Sequence, residues 1–175
     1  MKEKDRREKE KRLAGLCVQF ERNLVFFRFT SDFLQHPAHS EFIRTCAGSM
    51  LDVAVLEWCK MFADGKGKHH YTRVLKCKDF EGSLLESLGH SADEFEDYKV
   101  NLKHARDKMI AHLDNYDLVN IPDLRLAERA VDFLYGTLLK QIPPEAMPDE
   151  LPKSMSEYRL LCKRQAQDFF SELEW

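Results

Sequence analysis

From Leu13 to Leu173 the apolar side chains of this chain recur at three- and four-residue intervals, and no stretch sustains a strand-like alternation. Seven glycines and six prolines in 175 residues leave few points at which a helix has to stop. The pattern predicts an all-α fold, an up-and-down bundle of about five main helices with short helical pieces between them. With 43% hydrophobic and 33% charged residues, the chain can bury one core, so residues 1–175 read as a single domain.

The helices are punctuated by recognisable stops. Lys2 to Arg12 holds seven basic and four acidic residues at i,i+3 and i,i+4 spacings, which predicts a solvated helical lead-in over residues 1–12. The first apolar row (Leu13, Leu16, Cys17, Phe20, Leu24, Phe27) extends that helix to about Gln35, ahead of His36-Pro37. Ser40 is a candidate N-cap for a second helix that carries Trp58 and Phe62 and stops at Asp64-Gly65-Lys66-Gly67. Lys68 to Lys78 reads as a short helical turn or a packed loop, and Asp79 to Leu88 as a short helix ended by Gly89. Ser91 and Glu94 have the spacing of a capping box, opening a helix from Ala92 to about Leu113. Its buried row is Phe95, Tyr98, Leu102, Ala105 and Met109, which His112 continues. Pro122 is placed in the first turn of a further helix over Asp123 to Gln141. Residues 143–153 form a Pro-rich extended connector, and Ser154 with Glu157 begins the last helix, whose row is Tyr158, Leu161, Cys162, Gln165, Phe169 and Leu173.

Charge and cysteine usage exclude several function classes. A net charge of −3 rules out a globally basic nucleic-acid binder, so any RNA contact must be local. Five scattered cysteines without a C-x-x-C pair indicate neither a disulfide framework nor a zinc site. His69-His70 with Cys77 is a poor metal set, because adjacent histidines point to different sides of a helix. No cofactor loop, metal cluster, signal-like segment or membrane-length apolar run is present, and a cytoplasmic protein is expected. Phe26, Phe29 and Tyr135 look exposed and are candidate dimer contacts, whereas Trp58 and Phe62 read as core.

The chemistry concentrates in Arg106-Asp-Lys-Met-Ile-Ala-His112, with Asp114 and Tyr116 beyond it. Arginine is a permanent cation with a donor fork that suits phosphate, and histidine exchanges a proton near neutral pH. Lys99 and Lys103 align with Arg106 at i, i+4 and i+7, and with Lys108 they are candidate RNA or phosphate contacts. The bland alternative is a helix end in which histidine favours the dipole and arginine is a surface residue. Six residues place Arg106 and His112 about 9 Å apart along the axis and roughly 120° apart around it, so one copy makes a poor site. A two-fold pair would bring two arginines and two histidines into one cleft.

The segment R-D-K-M-I-A-H-L-D resembles the R-x(4–6)-H motif of the HEPN superfamily, with Asp107 as the polar residue that often follows the arginine. Ala111-His112-Leu113-Asp114 and the upstream Glu57-Trp58-Cys59-Lys60 are similar to an abortive-infection (AbiU-like) branch. The resemblance implies a helical bundle that dimerises at the motif, and in many members a metal-independent ribonuclease acting as toxin or antiviral effector. It makes Arg106, His112 and Asp107 the candidate catalytic residues, Asp114 and Tyr116 supporting ones, and RNA, a second copy and an antitoxin protein the candidate partners. Members that pair with a nucleotidyltransferase carry tyrosine two residues after the histidine, where this chain has Asp114. Two readings follow: an endoribonuclease of a defence or toxin system, or a non-catalytic HEPN-like module that binds nucleotide, RNA or a partner protein.

Overall fold

The computed structural model describes residues 3–33, 41–111 and 120–172, with backbone only at Phe33 and at 109–111. Among them are seven α-helices and no strand: α1 (Glu3–Phe33), α2 (Glu41–Phe62), α3 (Tyr71–Val74), α4 (Phe80–Leu88), α5 (Ala92–Ala111), α6 (Leu124–Gln141) and α7 (Met155–Ser171). The fold is an all-α bundle, and α1, α2, α5, α6 and α7 are its main members.

The charged lead-in is continuous with α1. Arg6 and Arg7 reach back to Glu3 and Lys11 lies 3.9 Å from Glu8, but Glu10 is buried, so the lead-in is solvated on one side only and not throughout as expected. Further along, Leu13, Cys17, Phe20 and Leu24 turn into the core, and α1 becomes the post of the bundle. It packs along α2 and also touches α3, α6 and α7, while α5 lies on α2 and α4 on α6. Trp58 of α2 is sealed in the middle, stacked on Phe62 at 5.0 Å and met edge-on by Tyr98 at 5.5 Å and Phe95 at 6.3 Å.

Helix ends follow local chemistry. Gly89 takes the left-handed conformation (φ 69°) that glycine adopts without a Cβ penalty, and its N–H donates to Leu85 and Glu86 carbonyls. Ser91 and Glu94 close the expected capping box: the Ser91 N–H donates to Glu94 at 2.7 Å and the Glu94 N–H to Ser91 Oγ at 3.2 Å. Ser154 caps α7 by accepting the Glu157 N–H.

Further expectations need revision or lie outside the described residues. Pro122 is not in α6; Asp123 is the N-cap, accepting the Arg125 N–H, so the proline sits one residue before the cap. The Pro-rich connector is not wholly extended, because Pro144–Ala146 makes one 3₁₀ turn. Tyr135 is buried, its hydroxyl donating to the Pro152 carbonyl, so it is no dimer contact. In α7 the buried residues are Met155, Cys162 and Ala166, while Leu161 and Phe169 (59% exposed) face outward. A single row therefore overstated how much of α7 is covered. The Ser40 cap, the Gln35 end of α1 and the Leu113 end of α5 fall outside the described residues.

One buried ion cluster fastens α7 to the bundle. Arg159 of α7 meets Glu21 of α1 and both Glu128 (2.7 Å) and Asp132 (3.0 Å) of α6, and Arg28 closes on Glu128 at 2.6 Å. Desolvation pushes the Glu21 carboxyl above its ordinary range, with the Arg159 bond opposing it, and Asp132 shifts the same way. Arg159→Met should therefore lower unfolding free energy by about 3 kcal/mol at neutral pH, by leaving the sealed Glu21 carboxylate unpaired. A carboxyl with a raised folded pKa stabilises most when protonated, so the deficit should shrink as pH falls into the carboxyl range. Urea melts across pH check both the size and the trend.

Candidate functional site

The motif arginine stands at the edge of the buried face of α5, one turn beyond Leu102. Phe95, Leu102 and Ala105 are buried against the bundle. That rotation sets Arg106 on the flank of the helix, next to the residues that follow α2. Its side chain is only 13% exposed, deeper than a solvated helix-face arginine.

Two carboxylates hold the guanidinium. Nη1 donates to Asp64 Oδ2 at 2.7 Å, while Nε and Nη2 donate to Asp107 Oδ1 at 2.9 and 2.7 Å. These bonds use three of the five N–H donors of the fork. Lys103 Nζ lies 3.8 Å from the other Asp64 oxygen, so Asp64 is shared by two cations of the α5 stripe. Burial works against the Arg106 charge, but the bonds to Asp107 and Asp64 outweigh it and hold the group above the ordinary arginine range. Beside them the sealed Cys59 thiol is pushed up to about 12, chiefly by desolvation despite the nearby Arg106. It stays protonated near neutral pH and is not a nucleophile.

The other candidates are spread along α5. Lys99 is one stripe position away from Lys103, yet it has separate partners: it pairs with Glu96, lies 4.0 Å from Glu81, and sits over the Phe95 ring at 5.5 Å. It belongs to the α4–α5 corner and does not join the Arg106 cluster. Lys108 is half-buried near the end of α5. His112, Asp114 and Tyr116 lie outside the described residues. In the His69-His70 pair one member is structural: His70 is buried, with Nε2 against the Phe62 carbonyl at 3.0 Å and Nδ1 against Thr72 Oγ1 at 2.7 Å. Burial lowers its pKa, and no grouping of three metal-ligating side chains occurs among the described residues.

Asp64 is the residue that sequence reasoning missed. Asp64-Gly65 reads as a helix breaker, and the backbone does use it so: the Asp64 N–H still bonds to Cys59 O at 2.8 Å as α2 ends. Nothing in the spacing joins it to Arg106, 42 positions away. The identity of the bonded partner is a product of how α5 crosses α2.

No protein-family model matches the chain, and neither curated proteins nor solved structures give a match.

Since Asp64 is partly screened by solvent, Asp64→Ala should lower stability by only about 1 kcal/mol. A loss above roughly 3 kcal/mol in denaturant melts would show that Asp64 is chiefly a structural anchor for the end of α2.

Proposed function

We propose that the chain is a metal-independent endoribonuclease of a phage-defence or toxin–antitoxin type system, working as a homodimer with a composite Arg106/His112 site. The observation that carries the reading is the setting of Arg106. It is largely withdrawn from solvent, held by Asp64 and Asp107, and keeps two N–H donors beyond those three bonds, six residues before His112 on the same chain segment. A guanidinium fixed in this way meets a phosphate without first losing side-chain freedom.

In the proposed reaction a neutral His112 takes the proton of an RNA 2′-hydroxyl. The 2′-oxygen bonds to the adjacent phosphorus, the bond from phosphorus to the 5′-oxygen breaks, and the protonated His112 of a second copy supplies that oxygen with a proton. The products are a 2′,3′-cyclic phosphate and a 5′-hydroxyl. Arg106 stabilises charge on the phosphoryl oxygens as it grows. Asp107 positions Arg106, Lys103, Lys99 and Lys108 steer the RNA backbone, and Asp114 and Tyr116 support the His112 side. An antitoxin protein would act by covering this cleft.

A second reading is favoured by one specific feature. Asp64 and Asp107 cancel the charge of Arg106 and Lys103, which weakens any purely electrostatic hold on RNA. That suits a non-catalytic HEPN-like module that binds nucleotide, RNA or a partner protein through the same surface.

Purified protein should be a dimer by light scattering and should cleave single-stranded RNA in excess EDTA. Arg106→Ala should cut the rate by about 10²–10³-fold and His112→Ala by about 10²–10⁴-fold, with the helical circular-dichroism signal kept. Full activity in His112→Ala, or a strict monomer that cleaves, would contradict the composite site. RNA binding without cleavage by the wild type would select the module.

A further inference from the structure

An open pocket of about 340 Å³ lies apart from the Arg106 cluster and shares no residue with it. Arg6 and Glu10 of α1, Lys76 and Cys77 of the α3–α4 loop, and Gln141 at the end of α6 line it. Three of these lining side chains carry a buried polar atom without a hydrogen-bond partner among the described residues: Arg6 Nε, Glu10 Oε2 and Gln141 Oε1. Glu10 is the most telling, being 1% exposed, with Oε1 at 3.4 Å from Arg6 Nε and Oε2 unengaged. Buried polar atoms are normally paired, and a sealed carboxylate oxygen more so.

The donor and acceptor pattern defines what would complete the site. Glu10 Oε2 and Gln141 Oε1 are both acceptors, and one of them is anionic. They suit a primary ammonium, which carries three N–H donors. Arg6, paired with Glu3 and facing Glu10 Oε1 through a long Nε contact, and Lys76 place two cations in the wall, so an anionic group is suited to that side. The volume is far above the roughly 30 Å³ share of one water, and it falls within the range of small-ligand sites. We propose that this pocket binds a small zwitterion with an ammonium and a carboxylate a few bonds apart, an amino acid or a molecule of that class. The ammonium lies on Glu10 and Gln141 and the carboxylate faces Arg6 and Lys76. Desolvation lifts the Glu10 carboxyl above its ordinary range despite Arg6, and the positive charge of the docked ammonium offsets that cost.

Cys77 gives a readout independent of RNA cleavage, because its thiol is exposed at the pocket. The full chain is heated with each standard L-amino acid, with ethylamine and with acetate, and Cys77 alkylation by iodoacetamide is followed by peptide mass spectrometry. At least one amino acid should raise Tm by roughly 5 °C at about a hundredfold excess over its Kd, and should slow Cys77 alkylation severalfold. Ethylamine and acetate should each fall well short of it. Glu10→Gln should weaken binding at least about tenfold, and Gln141→Leu provides the same check should the first variant fold poorly. No shift with any amino acid would mean that the pocket holds water only and overturns the proposal. An undiminished shift in folded Glu10→Gln or Gln141→Leu protein overturns it as well.

Discussion

The contact of the Trp58 indole with Phe62, Phe95 and Tyr98 fixes how α5 crosses α2, and the candidate site depends on that crossing. Trp58 is sealed although its indole N–H has no partner among the described residues, so ring packing outweighs an unmade hydrogen bond there. Tyr98 extends the same contact outward, its hydroxyl donating to the Asp123 carbonyl just ahead of α6. With α5 held by its first turns, the rotation of its later turns follows from helix geometry. Arg106 then meets Asp64 because both elements are rigid up to that point.

Two arginines show how the same side chain is used in different ways. Arg159 is enclosed by Glu21, Glu128 and Asp132 from two other helices, and its role is to join α7 to α1 and α6. Arg106 has two carboxylates, its sequence neighbour Asp107 on Nε and Nη2 and Asp64 on Nη1. Asp64 also faces Lys103, so the local charge is balanced rather than strongly positive. This balance agrees with the acidic chain as a whole and limits indiscriminate attraction to nucleic acid.

Much of the fold was legible in the sequence because it rests on local rules. The capping box at Ser91, the glycine stop at Gly89 and the core positions of Trp58 and Phe62 follow from spacing and residue type. Tyr135 was misread because an aromatic near the edge of a row has no periodic mark of burial; its place is set by the distant Pro152 carbonyl. Leu161 and Phe169 were misread because helical periodicity gives a face but not how much of that face a neighbour covers. Phe169 instead lines, with Phe26, Phe42 and Ile43, an open apolar pocket of about 430 Å³ among α1, α2 and α7. At the site, Arg106 and Asp107 were readable as a pair of adjacent polar residues. Asp64 was not, since its part in the cluster comes only from tertiary packing.

The central claim, that the Arg106/His112 pair cuts RNA through its own 2′-hydroxyl, is tested most directly by the chemical nature of the cut ends. A short RNA with one mapped cleavage position is compared with the same strand carrying deoxyribose on the 5′ side of that bond, and the products are weighed by mass spectrometry. The account predicts a 2′,3′-cyclic phosphate and a 5′-hydroxyl from the first strand and an intact bond at that position in the second. Cleavage of the deoxy-substituted bond, or a 5′-phosphate product, would contradict it.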